Sequence, residues 1–206
     1  RESKYRLHQN DGVGVYGPTE SGCGWSEPAK KHRCKKVEER ILTLLKKDDL
    51  VFISNRHVIN SDKNRHSLKK YYWMNSIETI NEINDFNKRV RQKGGLMVLI
   101  LPLPEFELSI AECTPDWFRV PGPSCSQSVN KLRFKRRDLY EMIHSNLDES
   151  IRIFDPLSTL CIEGICSMTD KYSKPLYVDN DHITDYANSQ YIYPFLKDFL
   201  TDQGLL

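Results

Sequence analysis

The sequence has no apolar run long enough to cross a bilayer, so no membrane-spanning helix is expected within its 206 residues. Its first residues lack the basic-then-apolar layout of a signal peptide. It begins at Arg1 rather than Met, which leads to the expectation that it is a piece of a longer protein. Neither sign of charge is in excess: 30 Lys and Arg face 28 Asp and Glu, for a net +2, so nothing demands nucleic acid or an anionic membrane as partner. There is no internal repeat, no low-complexity segment and no Cys-x-x-Cys, and no histidine sits at ligand spacing beside a cysteine. Solenoid, zinc-knuckle and thioredoxin readings are thereby set aside.

What is present suits one α/β domain with a full core, spanning 1–206. The six cysteines fall into three local couples: Cys23 with Cys34, Cys113 with Cys125, and Cys161 with Cys166. Three short disulfide-closed loops fit this layout and imply an oxidising compartment. Six unpaired thiols in a reducing compartment is the competing reading, and sequence alone does not choose the pairing.

Short apolar runs at 13–16, 50–53, 96–101 and 151–154 read as strands, and the third is apolar throughout, as in a parallel strand covered on both faces. Helical stripes lie between them. Val37, Ile41, Leu44 and Leu45 make one, and Ile77, Ile80, Ile83, Phe86 and Val90 a second, with Asn75 and Glu78 resembling a capping box. Leu132, Leu139, Ile143 and Leu147 mark a third. The last spans about Thr184 to Leu200 through Ala187, Tyr191, Phe195 and Phe199, and Pro194 should kink or divide it. Insertions interrupt the rhythm at 54–73 and 102–130. This alternation predicts a mostly parallel sheet with helices on both faces, and ligands beyond the carboxyl ends of its strands.

The stretch Leu176-Tyr-Val-Asp-Asn-Asp-His182 precedes the last helix. Two residues separate Asp179 from His182, which lets the carboxylate hold one imidazole N–H while the other nitrogen serves as a base. Thr184 is a suitable N-cap just beyond. A solvated acidic turn over Asp179–Asp181 is the competing reading. A calcium loop fails at Ile183 and Thr184, and a zinc site lacks partners.

The run from Phe154-Asp-Pro through Leu160-Cys-Ile-Glu-Gly-Ile-Cys166 to Asp179 and His182 resembles the end of SGNH domains fused to membrane acyltransferase-3 proteins. Tyr5-Arg-Leu-His8, Gly12-Val-Gly-Val-Tyr16 and Leu101-Pro-Leu-Pro104 are similar to their layout elsewhere. The resemblance implies a three-layer α/β/α, flavodoxin-like SGNH hydrolase fold whose first strand is missing from this segment. It also implies a Ser-His-Asp acyl-enzyme mechanism with His182 and Asp179 as catalytic residues. The family's Gly-Asp-Ser-His block is absent here, and its expected place is upstream of Arg1; Ser3 has no glycine turn and is not nominated. The segment alone would then be inactive. The oxyanion donors implied are Asn55, otherwise a strand-end cap, and Gly22, with Gly17 as the other choice. Arg56 and His57 border the same edge as substrate-binding candidates or surface residues.

The implied activity is O-acylation, most simply O-acetylation, of an envelope carbohydrate such as lipopolysaccharide. The segment would be the periplasmic domain of an inner-membrane protein, with its upstream transmembrane acyltransferase-3 part in the same polypeptide and a carbohydrate as acceptor. No cofactor is needed within the domain; acetyl-CoA, if it is the donor, is used by the membrane part. Rivals are an SGNH carbohydrate esterase or deacetylase and a noncatalytic glycan-binding relative. The basic run at 131–137 reads as a solvated helix face or a contact for an anionic glycan or lipid. Trp25, Trp73 and Trp117 read as packing residues or sugar platforms, and His8, His32, His66 and His144 have no identifiable partners.

Overall fold

The computed structural model describes residues 31–54, 77–113 and 125–206. The elements follow in chain order as α1 (Lys31–Leu44), β1 (Leu50–Ser54), α2 (Ile77–Gln92), β2 (Leu96–Ile100), α3 (Ile110–Cys113), β3 (Ser126–Ser128) and α4 (Val129–Lys135). Then come α5 (Arg137–Asn146), β4 (Arg152–Phe154), α6 (Leu157–Leu160), β5 (Cys161–Ile162), β6 (Ile165–Ser167), α7 (Asp185–Ala187) and α8 (Tyr193–Asp202). The apolar run at 13–16, Asn75 and Cys23 lie outside the described residues, so the Cys23–Cys34 couple falls outside them too.

The main sheet is parallel in the order β1-β2-β4, with Leu50 opposite Leu96 and Ile100 opposite Phe154. Because side chains alternate along a strand, β2 feeds two cores. Met97 and Leu99 join Val51, Ile53 and the α2 stripe of Ile80, Ile83, Phe86 and Val90, together with Leu42, Leu139 and Ile143. Val98, on the opposite face, packs with Phe154, Leu160, Ile192 and Leu200. The result is a helix–sheet–helix arrangement. Each fully buried aliphatic side chain contributes about 2 kcal/mol. Gly94, at φ 81°, makes the left-handed step that ends α2 and turns the chain into β2. Arg89 of α2 reaches Glu38 at 3.0 Å and Glu39 at 2.7 Å on α1.

Two helical stripes are interrupted, the third unexpectedly and the last as Pro194 predicted. The third stripe is divided at Arg136, which separates α4 from α5. The last is divided into α7, a π-helical turn at Asn188–Ile192, and α8 with Pro194 in its first turn. The wider π turn rotates the stripe by about one residue. Ile192 and Leu200 are therefore buried, and Phe195 is half exposed rather than in the core.

A second, antiparallel sheet, β3-β6-β5, takes one strand, β3, from the expected insertion at 102–130. Its β5–β6 hairpin is closed by Cys161–Cys166, and Cys113–Cys125 ties α3 to the residue before β3. The basic run at 131–137 is not wholly solvated: Arg136 is 1% exposed. Its guanidinium donates to Pro102 O at 2.6 Å and Leu103 O at 2.5 Å, just past the carboxyl end of β2. A cation at the junction of the two helices satisfies carbonyls there that no strand pairs.

Arg136→Met keeps the apolar stem but strands those carbonyls. Urea unfolding should register a loss of about 3 kcal/mol, against less than about 0.5 kcal/mol for the exposed Arg137→Met. Equal losses would show the buried guanidinium to be dispensable. Alkylation before reduction should leave Cys113, Cys125, Cys161 and Cys166 unmodified by mass spectrometry, and modification after reduction should reach all four.

Candidate active site

The turn at 179–182 is held as a small hairpin. Tyr177 and Ile183 form an antiparallel bridge, Val178 N–H donates to His182 O at 2.8 Å, and Thr184 N–H donates to Leu176 O at 2.9 Å. Thr184 then caps α7, its Oγ1 accepting from Ala187 N at 3.0 Å. The loop leaving β2 braces the turn from the side. Phe106 N–H donates to Asn180 O at 2.9 Å, and the Phe106 ring meets the buried Tyr177 edge-on at 5.0 Å. That contact sets the turn against the chain beyond the carboxyl end of β2.

Asp179 organises the turn from within. Its Oδ1 accepts the backbone N–H groups of Asp181 at 2.9 Å and His182 at 2.8 Å, an Asx-type closure. Its Oδ2 lies 2.8 Å from His182 Nδ1. One carboxylate thus shapes the loop and aims the ring. The His182 side chain is 69% exposed, so the base candidate stands open rather than packed in the core. Its Nε2 has no hydrogen-bond partner among the described residues. With Nδ1 carrying the proton towards Asp179, Nε2 is left as the acceptor, the state a general base requires.

Asp181 was read only as a member of an acidic turn, yet it is buried, with Oδ1 also 2.8 Å from His182 Nδ1. No local signal in the sequence distinguishes it from its solvated neighbours. Asp179, Asp181 and His182 bring ligand-type atoms within 4.8 Å of one another, but two carboxylates and one ring nitrogen already engaged with each other make a poor cation cage. Asn55, Gly22, Gly17, Arg56 and His57 lie outside the described residues, as do Trp25, Trp73 and Trp117. His144 is exposed on α5.

A second anchored carboxylate steadies the helix that follows. Asp170 Oδ1 accepts from Tyr172 N and Lys174 N, both at 2.8 Å, and its Oδ2 accepts from Tyr186 Oη on α7 at 2.7 Å. Burial pushes the Asp170 carboxyl up, but the bonds from Tyr186, Lys174 and Tyr172 outweigh it and hold the carboxyl below the usual range. The same bond to Asp170 pushes the Tyr186 phenol up to about 12.

A family model described as SGNH domain (fused to AT3 domains) matches residues 5–197. The chain belongs to this family. Members of the SGNH family matched here are thus fused to AT3 domains, and the parallel sheet between helix layers is the SGNH, flavodoxin-like fold. Among solved structures, this SGNH chain is similar to the periplasmic domain of a lipopolysaccharide acetyltransferase from Salmonella ser. Paratyphi A, with a TM-score of 0.54 and 12% identity. The likeness, one of fold, covers 84% of this chain and 62% of that one. No curated protein matches the sequence.

The Asp170–Tyr186 bond has a defined pH window. On the acid side its stabilisation is whole above the ordinary carboxyl value and lost as pH falls through the lowered value of Asp170. On the alkaline side it is whole below the ordinary phenol value and lost as pH rises through about 12. The melting temperature of Tyr186→Phe should therefore lie below that of the wild type at neutral pH and converge with it at the acid extreme. A gap independent of pH would dismiss the assignment.

Proposed function

We propose that this SGNH domain is the extracytoplasmic part of a membrane acyltransferase that O-acylates, most simply O-acetylates, an envelope carbohydrate. The observation that carries the reading is the exposed His182 ring held through Nδ1 by Asp179, on a turn braced against the loop beyond the carboxyl end of β2. Family membership supports a same-chain AT3 part, and the two disulfides suit an oxidising compartment. In this reading residues 1–206 are one domain, and the nucleophilic serine comes from chain upstream of them.

His182 Nε2 takes the serine proton as Oγ attacks the acyl carbonyl. Asp179 keeps the Nδ1–H tautomer and stabilises the imidazolium without itself taking a proton. Asn55 and the Gly22 N–H are the proposed donors to the oxyanion, each worth about 3 kcal/mol of barrier in sites of this kind. The proton on Nε2 passes to the departing donor group, leaving an acyl-serine. A carbohydrate hydroxyl, deprotonated by the same nitrogen, attacks the ester, and Nε2 returns that proton to the departing serine Oγ. Arg56 and His57 would border the acceptor.

In the full-length protein, His182→Ala should abolish covalent labelling by a serine-directed fluorophosphonate; undiminished labelling would reject the base assignment. Product analysis separates the reactions, since acylated carbohydrate marks a transferase and free acid alone marks an esterase.

A further inference from the structure

Asp181 is the most buried ionisable group in the turn. Its side chain is 4% exposed, against 45% for Asp179 and 69% for His182. A carboxylate is seldom this buried without an ionic or hydrogen-bonding partner, and the imidazole is within reach. Both carboxylates approach His182 Nδ1 to 2.8 Å. Asp179 Oδ2 is hydrogen-bonded to Nδ1, and Asp181 Oδ1 lies at the same distance from it, each contact becoming an ion pair when the ring is protonated. The backbone couples the two as well, because the Asp181 N–H donates to Asp179 Oδ1.

The solvent exposures divide the labour. Asp179 is directional but half open to water, which screens its charge. Asp181 lies under the turn, where less water intervenes and a negative charge acts on the ring more strongly. If the bond to Asp179 weakens, Asp181 Oδ1 is already placed to accept the same Nδ1–H.

We propose that Asp181 is a second positioning carboxylate for His182, holding the Nδ1–H tautomer jointly with Asp179 and stabilising the imidazolium formed during acyl transfer. This deepens, and rests on, the reading of His182 as the general base. The serine proton moves to Nε2, Nδ1 keeps its own, and both carboxylates remain ionised until the departing group takes the proton from Nε2. The chemistry is that of the triad, with the anionic side of the ring shared between two acids.

The test compares Asp179→Asn, Asp181→Asn, the double variant and His182→Ala in the full-length chain, by transfer kinetics. Asp181→Asn should lower kcat about tenfold or more at unchanged KM, as expected when a transition-state interaction is removed. Asp179→Asn should retain activity at least about tenfold above His182→Ala, and the double variant should fall to the His182→Ala level. Asp181→Asn with wild-type kcat, or a change confined to KM, would overturn the proposal. So would Asp179→Asn already as inactive as His182→Ala, an arm that leaves Asp181 untouched and does not depend on how well its variant folds. Activity surviving in His182→Ala would instead overturn the underlying reading, and the role of Asp181 with it.

Discussion

The carboxylate of Asp179 does two jobs that cannot be separated. One oxygen closes the turn by accepting two successive backbone N–H groups, and the other receives the imidazole. The shape of the loop and the direction of the ring are therefore a single event. A side chain that supplied only the turn, such as serine, would forfeit the hydrogen bond from the ring. The exposure of His182 is tolerable only because its orientation is bought locally, within four residues, and not by burial.

That local device still needs a platform. The turn leans on Phe106, and the loop carrying Phe106 leaves the end of β2 under the grip of Arg136. Arg136 sits where one helix would otherwise run on, and its burial coincides with the break between α4 and α5. A cation in the interior is thus the link between the parallel sheet and the Asp179–His182 turn. The disulfide-closed hairpin and Tyr186 share one apolar cluster with Phe106 and Tyr177, which completes the frame.

Much of this was legible because it is written in short-range spacing. The apolar runs at 50–53, 96–101 and 151–154 became β1, β2 and β4, and the stripe from Ile80 to Val90 became the buried face of α2. Asp-x-x-His was legible for the same reason, as was the cap at Thr184. Features that depend on distant partners were not. Arg136 lies in a run of cations that reads as solvated until Pro102 and Leu103 arrive beside it. The π turn shifts a stripe that a regular helix would have kept on Phe195. The pairing of β3 with β6 joins residues some forty positions apart through three-residue strands too short to carry a periodic signal. Asp181 is buried, which nothing in its neighbouring sequence betrays.

The span of chain behind the Phe106–Asn180 link, 74 residues, also sets an order of manufacture. The hairpin cannot close until Thr184 has been made, and the bracing loop must wait, fully synthesised, for its counterpart to emerge. A growing polypeptide therefore carries an unbraced Phe106 loop for a long stretch, whereas His182 and the residues that close its turn emerge almost together. Competence at that ring arrives late and all at once, after the sheet beneath it has every described strand to hand.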